Sequence, residues 1–167
     1  MEILTHEYLF RAEMALLITT LLYFVMNGAG IFETAVLVPK WSSNAPISFQ
    51  LLKEPYGVDL KKFWIIMHCV HELSFILAII LCWKISDIRN YLLILFGLHF
   101  LIRVWTLTYF APTIMKFQRI ANTDDYSLGL PAKAKRWRHL NYIRTGLFIA
   151  ISLALVPLCI QLCHMAA

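Results

Sequence analysis

Two polar side chains inside one long apolar run constrain this chain more than any other feature. After Met14 the sequence reads ALLITTLLYFVMNGAGIFETAVLV and stops at Pro39. About 20 apolar residues at ~1.5 Å each cross a bilayer core, so residues 13–38 are long enough for a span. A lipid-facing anchor would not carry Asn27 and Glu33. A carboxylate deep in a membrane helix costs about 2.5–3.5 kcal/mol on insertion scales, so it is expected to face a protein interior and a partner. Gly28, Ala29 and Gly30 permit close helix contact. The run therefore predicts a helical bundle with a polar inside.

Composition agrees. The chain has 167 residues, 60% of them hydrophobic and 15% charged, where soluble domains run near 25% charged. This predicts one integral membrane domain over residues 1–167, with no repeat, low-complexity segment or extramembrane domain. The net charge is +5, but the basic residues sit in the loops. They read as topology signals and lipid-headgroup contacts, which argues against a nucleic-acid surface. Cys69, Cys82, Cys159 and Cys163 fall in or beside apolar segments without a C-x-x-C, as small packing residues do. Glu2, Glu7 and Glu13 against Arg11, before so long an apolar run, do not fit a cleavable signal.

Residues 1–12 read as an interfacial lead-in to the first span, 13–38. A loop follows over 39–60, with Pro39, Pro46, Pro55 and Gly57 as breakers and Trp41 and Phe49 suited to the membrane interface. The second span is 61–84. Ser86, Asp87, Arg89 and Asn90 predict a tight turn into an antiparallel third span, 90–111, ending at Pro112. Residues 112–138 form the longest polar stretch, with Asn122, Asp124, Asp125 and Gly129 as turn signals and Pro131 at a helix start. The basic run Lys133, Lys135, Arg136 and Arg138 leads into the fourth span, 139–163. The expected fold is all-α, an antiparallel up-and-down bundle of four membrane-spanning helices. Ten Lys and Arg lie in the segments 39–62 and 112–138, against Arg11, Lys84 and Arg89 on the other side. The positive-inside rule then places the two long loops in the cytoplasm and both termini opposite.

Polar residues recur on one face of every span. In the second, Trp64, His68, His71, Glu72 and Phe75 follow helical spacing. In the third, His99, Arg103, Thr106 and Phe110 do so. In the fourth, Asn141, Arg144, Thr145, Phe148 and Ser152 share a side, and in the first Asn27, Gly30, Glu33 and Thr34 form a broader stripe. Similar depths predict a shared intramembrane pocket opening toward the cytoplasm. Glu33 and Glu72 balance Arg103 and Arg144, the form in which buried charge is tolerated.

A network of this kind could serve only to fix helix register. Ionisable intramembrane groups default to a functional site, however, and register alone does not require histidines. Three chemistries fit. His68, His71, Glu72, His99 and Glu33 are acceptable ligands for iron, zinc or copper, although H-x-x-H-E is not the E-x-x-H repeat of di-iron bundles. A b-type haem could sit between His68 or His71 and His99. The third, preferred here, needs no cofactor. In it His71 or His68 is a general base, Glu72 or Glu33 orients it, and Arg103, Arg144 and Asn141 stabilise an enolate or phenolate oxygen. His6, His139 and His164 lie near span ends and read as solvated.

The chain also resembles the anthrone oxygenase-like family of small four-span membrane proteins. The resemblance rests on FETAVLVP at residues 32–39, on Thr108 and Pro112 closing the third span, and on W-x-x-x-N-x-x-R, here Trp137, Asn141 and Arg144 within RWRHLNYIRT. It implies a membrane enzyme that oxidises an apolar aromatic polyketide, an anthrone, to a quinone with dioxygen and without metal or flavin. The partners expected are the bilayer, an apolar small molecule, and a second copy or a larger membrane complex. The competing expectation is a non-enzymatic transporter or complex subunit whose buried network relays protons or sets register.

Overall fold

The structure is a computed structural model that describes residues 5–123 and 129–166. Residues 1–4 of the lead-in, and Asp124 and Asp125 of the expected turn, lie outside them. The described residues are helical with no strand, and four helices are long and apolar enough to cross a membrane. Helix α1 (His6–Phe32) continues through Glu33–Leu37 into α2 (Val38–Ser42). A 3₁₀ turn, Ile47–Leu52, follows, and then α3 (Lys61–Leu81). Helix α4 (Ser86–Trp105) continues through Thr106–Phe110 into α5 (Ala111–Thr123), and α6 (Leu130–Ala166) closes the chain. The turn between α3 and α4 lies at residues 82–85, where Ile85 N–H donates to the Cys82 carbonyl at 2.9 Å. The expected turn residues Ser86, Asp87, Arg89 and Asn90 instead form the start of α4.

The helices run through both prolines expected to end spans. The reason is a change of helix type. Glu33–Leu37 and Thr106–Phe110 are π-helical, and each ends two residues before a proline, Pro39 and Pro112. An interior proline lacks an N–H, and its ring crowds the carbonyl one turn back. A local π turn relieves that crowding and lets the helix continue. Val38 N–H reaches back to the Glu33 carbonyl and Ala111 N–H to the Thr106 carbonyl, each five residues away. Side chains also cap carbonyls in the second widened turn. The Thr113 hydroxyl donates to the Tyr109 carbonyl at 2.6 Å, and the Trp137 indole N–H to the Phe110 carbonyl at 3.2 Å.

The chain divides into two compact units, both discontinuous in sequence. One comprises residues 1–27, 63–100 and 148–167, the other 28–62 and 101–147. In the first, Ala12, Leu16 and Tyr23 of α1 are fully buried, as are Phe75, Leu92 and Leu155, and the Tyr23 and Phe75 rings lie 6.5 Å apart. The Thr19 hydroxyl donates to the Ser74 carbonyl at 2.9 Å, tying α1 to α3. Leu73, Ile80 and Ile94 stay more than half exposed, as lipid-facing side chains do.

The second unit holds an aromatic core that the loop assignments missed. Trp41, Phe49, Phe110, Phe117 and Trp137 are all buried. The Trp41 ring lies 5.0 Å from Trp137 and 5.8 Å from Phe117, centroid to centroid. Trp41 and Phe49 are therefore core residues of this unit, where the sequence suggested a membrane interface. Much of 39–60 and 112–138 is ordered helix around them, because α5 presents Phe117 and Ala121 inward on one face while Lys116 and Arg119 point out. Gly57 closes the preceding turn, where any Cβ would lie 2.6 Å from the Leu52 carbonyl carbon.

Candidate functional site

The eight candidate residues fall into two groups, one in each unit. His68, His71, Glu72 and His99 belong to the first, and Glu33, Arg103, Asn141 and Arg144 to the second. Every residue of the expected stripes is buried or half-buried. His6, His139 and His164 are exposed.

In the first unit, helical spacing on α3 turns His68, His71 and Phe75 inward, and α4 supplies His99. The residue that joins them is Tyr23 of α1. Its hydroxyl lies 2.9 Å from His99 Nδ1. Its ring stands edge-on to His71, with centroids 4.2 Å apart. The two imidazoles are 5.0 Å apart, and Phe75 and Phe148 complete an aromatic surround. Tyr23, His71 and His99 are all at most 1% exposed. His99 Nε2 lies 3.9 Å from Glu72 Oε1, on a side chain about a third exposed. A neutral phenol donating to Nδ1 places the imidazole proton on Nε2, facing the Glu72 carboxylate. Phenol and imidazole are thus hydrogen-bonded in a dry interior, and the carboxylate lies 3.9 Å beyond, toward the protein surface. His68 lies beside this set, stacked on Trp64 at 5.4 Å. Asn27, four residues after Tyr23, donates to Ser152 Oγ at 2.7 Å and to the Phe148 carbonyl at 3.3 Å.

In the second unit, α6 meets both π-helical segments. Asn141 Nδ2 donates to Thr34 Oγ1 at 2.9 Å, and Thr34 and Thr145 hydroxyls are 3.0 Å apart. Arg144 Nη2 donates to Asn141 Oδ1 at 2.6 Å and Nη1 to Thr106 Oγ1 at 3.4 Å. The guanidinium carbon sits 4.4 Å from the centroid of the Phe110 ring. Thr34 lies in one π-helical segment and Thr106 and Phe110 in the other. All three residues of the W-x-x-x-N-x-x-R motif therefore contact a π-helical segment. π-Bulges are rare and often mark functional sites.

Among the described residues, no three His, Cys, Asp or Glu side chains are arranged to hold a metal ion. The four thiols are free. Cys163 Sγ lies 2.8 Å from Glu13 Oε1 and Cys159 Sγ 3.2 Å from Thr20 Oγ1.

Tyr23 is the member of this cluster that sequence reasoning missed. A tyrosine within ITTLLYFVMN reads as apolar packing, yet its spacing of four from Asn27 placed it on the polar stripe. Comparison of the chain with family models, curated proteins and solved structures returns no match.

Proposed function

We propose that this chain is a small integral-membrane oxidoreductase that acts on an apolar aromatic substrate of anthrone or quinol type. One observation carries the reading, the buried Tyr23–His99 pair within apolar helices, with the half-exposed Glu72 carboxylate 3.9 Å from His99 Nε2. His99 accepts a proton from an acidic C–H or O–H of the substrate through the Tyr23 hydroxyl, which passes its own proton to Nδ1 as it takes the substrate's, and Glu72 stabilises the imidazolium that results. For an anthrone, loss of a CH2 proton gives a phenolate-like carbanion. Dioxygen adds to that carbon, and loss of water from the hydroperoxide leaves the quinone carbonyl. One O2 is consumed and one water released per turnover. The resemblance to the anthrone oxygenase-like family supports this choice of substrate. The bias of Lys and Arg supports residues 39–62 and 112–138 on the cytoplasmic side, with both termini opposite.

The test is quinone formation from an anthrone under air by the purified chain in mild detergent. His99→Gln is expected to lower the rate by about 10²–10⁴-fold, in the range of a lost general base. Tyr23→Phe should lower it to a similar degree, with its effect on kcat and not on KM. A His71→Ala and His99→Gln double variant that keeps the wild-type rate, or a wild type no faster than buffer, removes the proposal.

A second reading draws on the same geometry. Glu72, about a third exposed, gives the relay an outlet, as proton passage through a non-enzymatic membrane protein requires. Proton flux in proteoliposomes that depends on Glu72, without substrate turnover, would favour it.

A further inference from the structure

Three helical segments of the second unit turn one face each toward the same aromatic core. Trp41 of α2, Phe117 of α5 and Trp137 of α6 are buried there, with the Trp41 ring 5.0 Å from Trp137 and 5.8 Å from Phe117. Their outward faces therefore point to different sides, and each carries cations. Lys40 stands on α2, Lys116 and Arg119 on α5, and Lys133, Lys135 and Arg136 at the start of α6, all of them exposed. α2, α5 and residues 130–142 contain no Asp or Glu. Glu54 and Asp59, exposed acids of the same unit, belong to the loop after the 3₁₀ turn. There Glu54 N–H donates to Asn122 Oδ1 at 2.8 Å, and Lys61 N–H donates to Asp59 Oδ1 at 2.9 Å.

Along each helix the exposed face changes from apolar to basic. On α6 it runs through Leu147, Ile143 and Tyr142 to His139, Arg136 and Lys135. On the helix through the second π-helical segment it runs from Leu107 and Met115 to Lys116 and Arg119. On the first, Ile31 and Phe32 precede Lys40. All three helices are long and apolar enough to cross a membrane. Tyr142 suits the boundary between hydrocarbon and headgroups. Arg136 lies about 9 Å from it along the axis, beside a headgroup layer about 5–7 Å thick. Two pairs of cations are also spaced i, i+3, Lys116 with Arg119 and Lys133 with Arg136. Their Cβ atoms are about 5–6 Å apart, a spacing at which like charges repel and an anion between them relieves the repulsion. A phosphate accepts charge-assisted hydrogen bonds from both sides. A single macromolecule would meet cations gathered on one face. Cations turned to different sides of one core suit the many small anions of a membrane surface. We infer that the belt of cations on α2, α5 and the start of α6 binds the phosphates of anionic phospholipids, with the two i, i+3 pairs as its main sites. A zwitterionic lipid brings a cation of its own to the same place and is held less well. The belt is separate from the acid–base pair at His99, and its test reads binding and not turnover.

Native mass spectrometry of the full chain supplies the test. The chain is released from a neutral detergent holding equal amounts of phosphatidylglycerol and phosphatidylcholine with the same acyl chains. The wild type is expected to retain phosphatidylglycerol over phosphatidylcholine by at least about tenfold. Lys116→Gln, Arg119→Gln, Lys133→Gln and Arg136→Gln together should bring that preference to about twofold or less. All four side chains are exposed, so this variant should fold. Should it not, the two pairs removed separately should each give an intermediate preference. Arg11→Gln with Lys84→Gln, outside the belt, should leave the preference unchanged. An equal fall in that control overturns the inference, because net charge alone would then explain the effect. Equal retention of the two lipids by the wild type overturns it, and so does a wild-type preference in the four-site or pairwise variants. Displacement of phosphatidylglycerol by millimolar inorganic phosphate marks a site for a free anion. Binding of hexaglutamate by a wild type without lipid preference marks an acidic protein partner. Either of these results also overturns the inference.

Discussion

The two polar clusters meet the same problem with different backbones. In the first unit, Tyr23, His71, His99 and Asn27 sit on regular α-helix, and the groups are neutral or readily neutralised. Their partners come from ordinary helical spacing. In the second unit, the central group is a permanent cation, and its neighbours stand on two π-helical segments. A neutral polar group needs one partner at hydrogen-bond distance. A buried guanidinium needs several acceptors from different helices at once, and a widened turn re-aims side chains that regular α-helix would leave a full position away.

The sharpest way to break that contrast is to make the same substitution in both places. Asn141→Leu removes the 2.6 Å acceptor of Arg144 and the donor to Thr34. The cation is left buried with fewer partners, at a cost of about 3 kcal/mol. Thermal unfolding in detergent should show this as the largest loss among single asparagine or tryptophan variants. Trp137→Phe comes next. It keeps most of the ring in the aromatic core but deletes the donor to the Phe110 carbonyl, for about 1–2 kcal/mol. Hydrogen exchange should then quicken around Thr106–Phe110 more than around Glu33–Leu37. Equal changes in both segments would detach Trp137 from the second widened turn.

What the sequence made legible follows from this difference. Spacings of three and four placed His68, His71, Phe75 and His99 inward, because α3 and α4 keep a regular α period across them. The four apolar helices were legible from length alone. The helix ends were not, since Pro39 and Pro112 are strong breakers in any local reading and only the preceding π turns carry the chain past them. The ordered core around Trp41, Phe49 and Phe117 was hidden for a related reason. Its residues are scattered between prolines and basic side chains, and they cohere only when α2, the 3₁₀ turn and α5 pack together. Tyr23 stayed hidden because a phenol is apolar over most of its surface, and its hydroxyl gains meaning only beside His99.

Asn27→Leu is the milder half of the comparison and the more informative if it misbehaves. Asn27 Nδ2 donates to Ser152 Oγ and to the Phe148 carbonyl. Neither acceptor is stranded by its loss. The Ser152 hydroxyl still donates to the Ile149 carbonyl at 2.8 Å. The Phe148 carbonyl lies inside α6, where the N–H four residues on reaches it. Leucine has nearly the volume of asparagine plus a methyl, and its burial offsets part of the lost hydrogen bonds. The expected cost is about 1 kcal/mol or less, a third of that for Asn141→Leu. The ratio matters more than either number. If Asn27→Leu proves as costly as Asn141→Leu, the neutral hydrogen bonds of the first unit hold the helices as firmly as the charged set of the second. Buried charge would then lose its special standing, and the π-helical segments would be explained by their prolines alone.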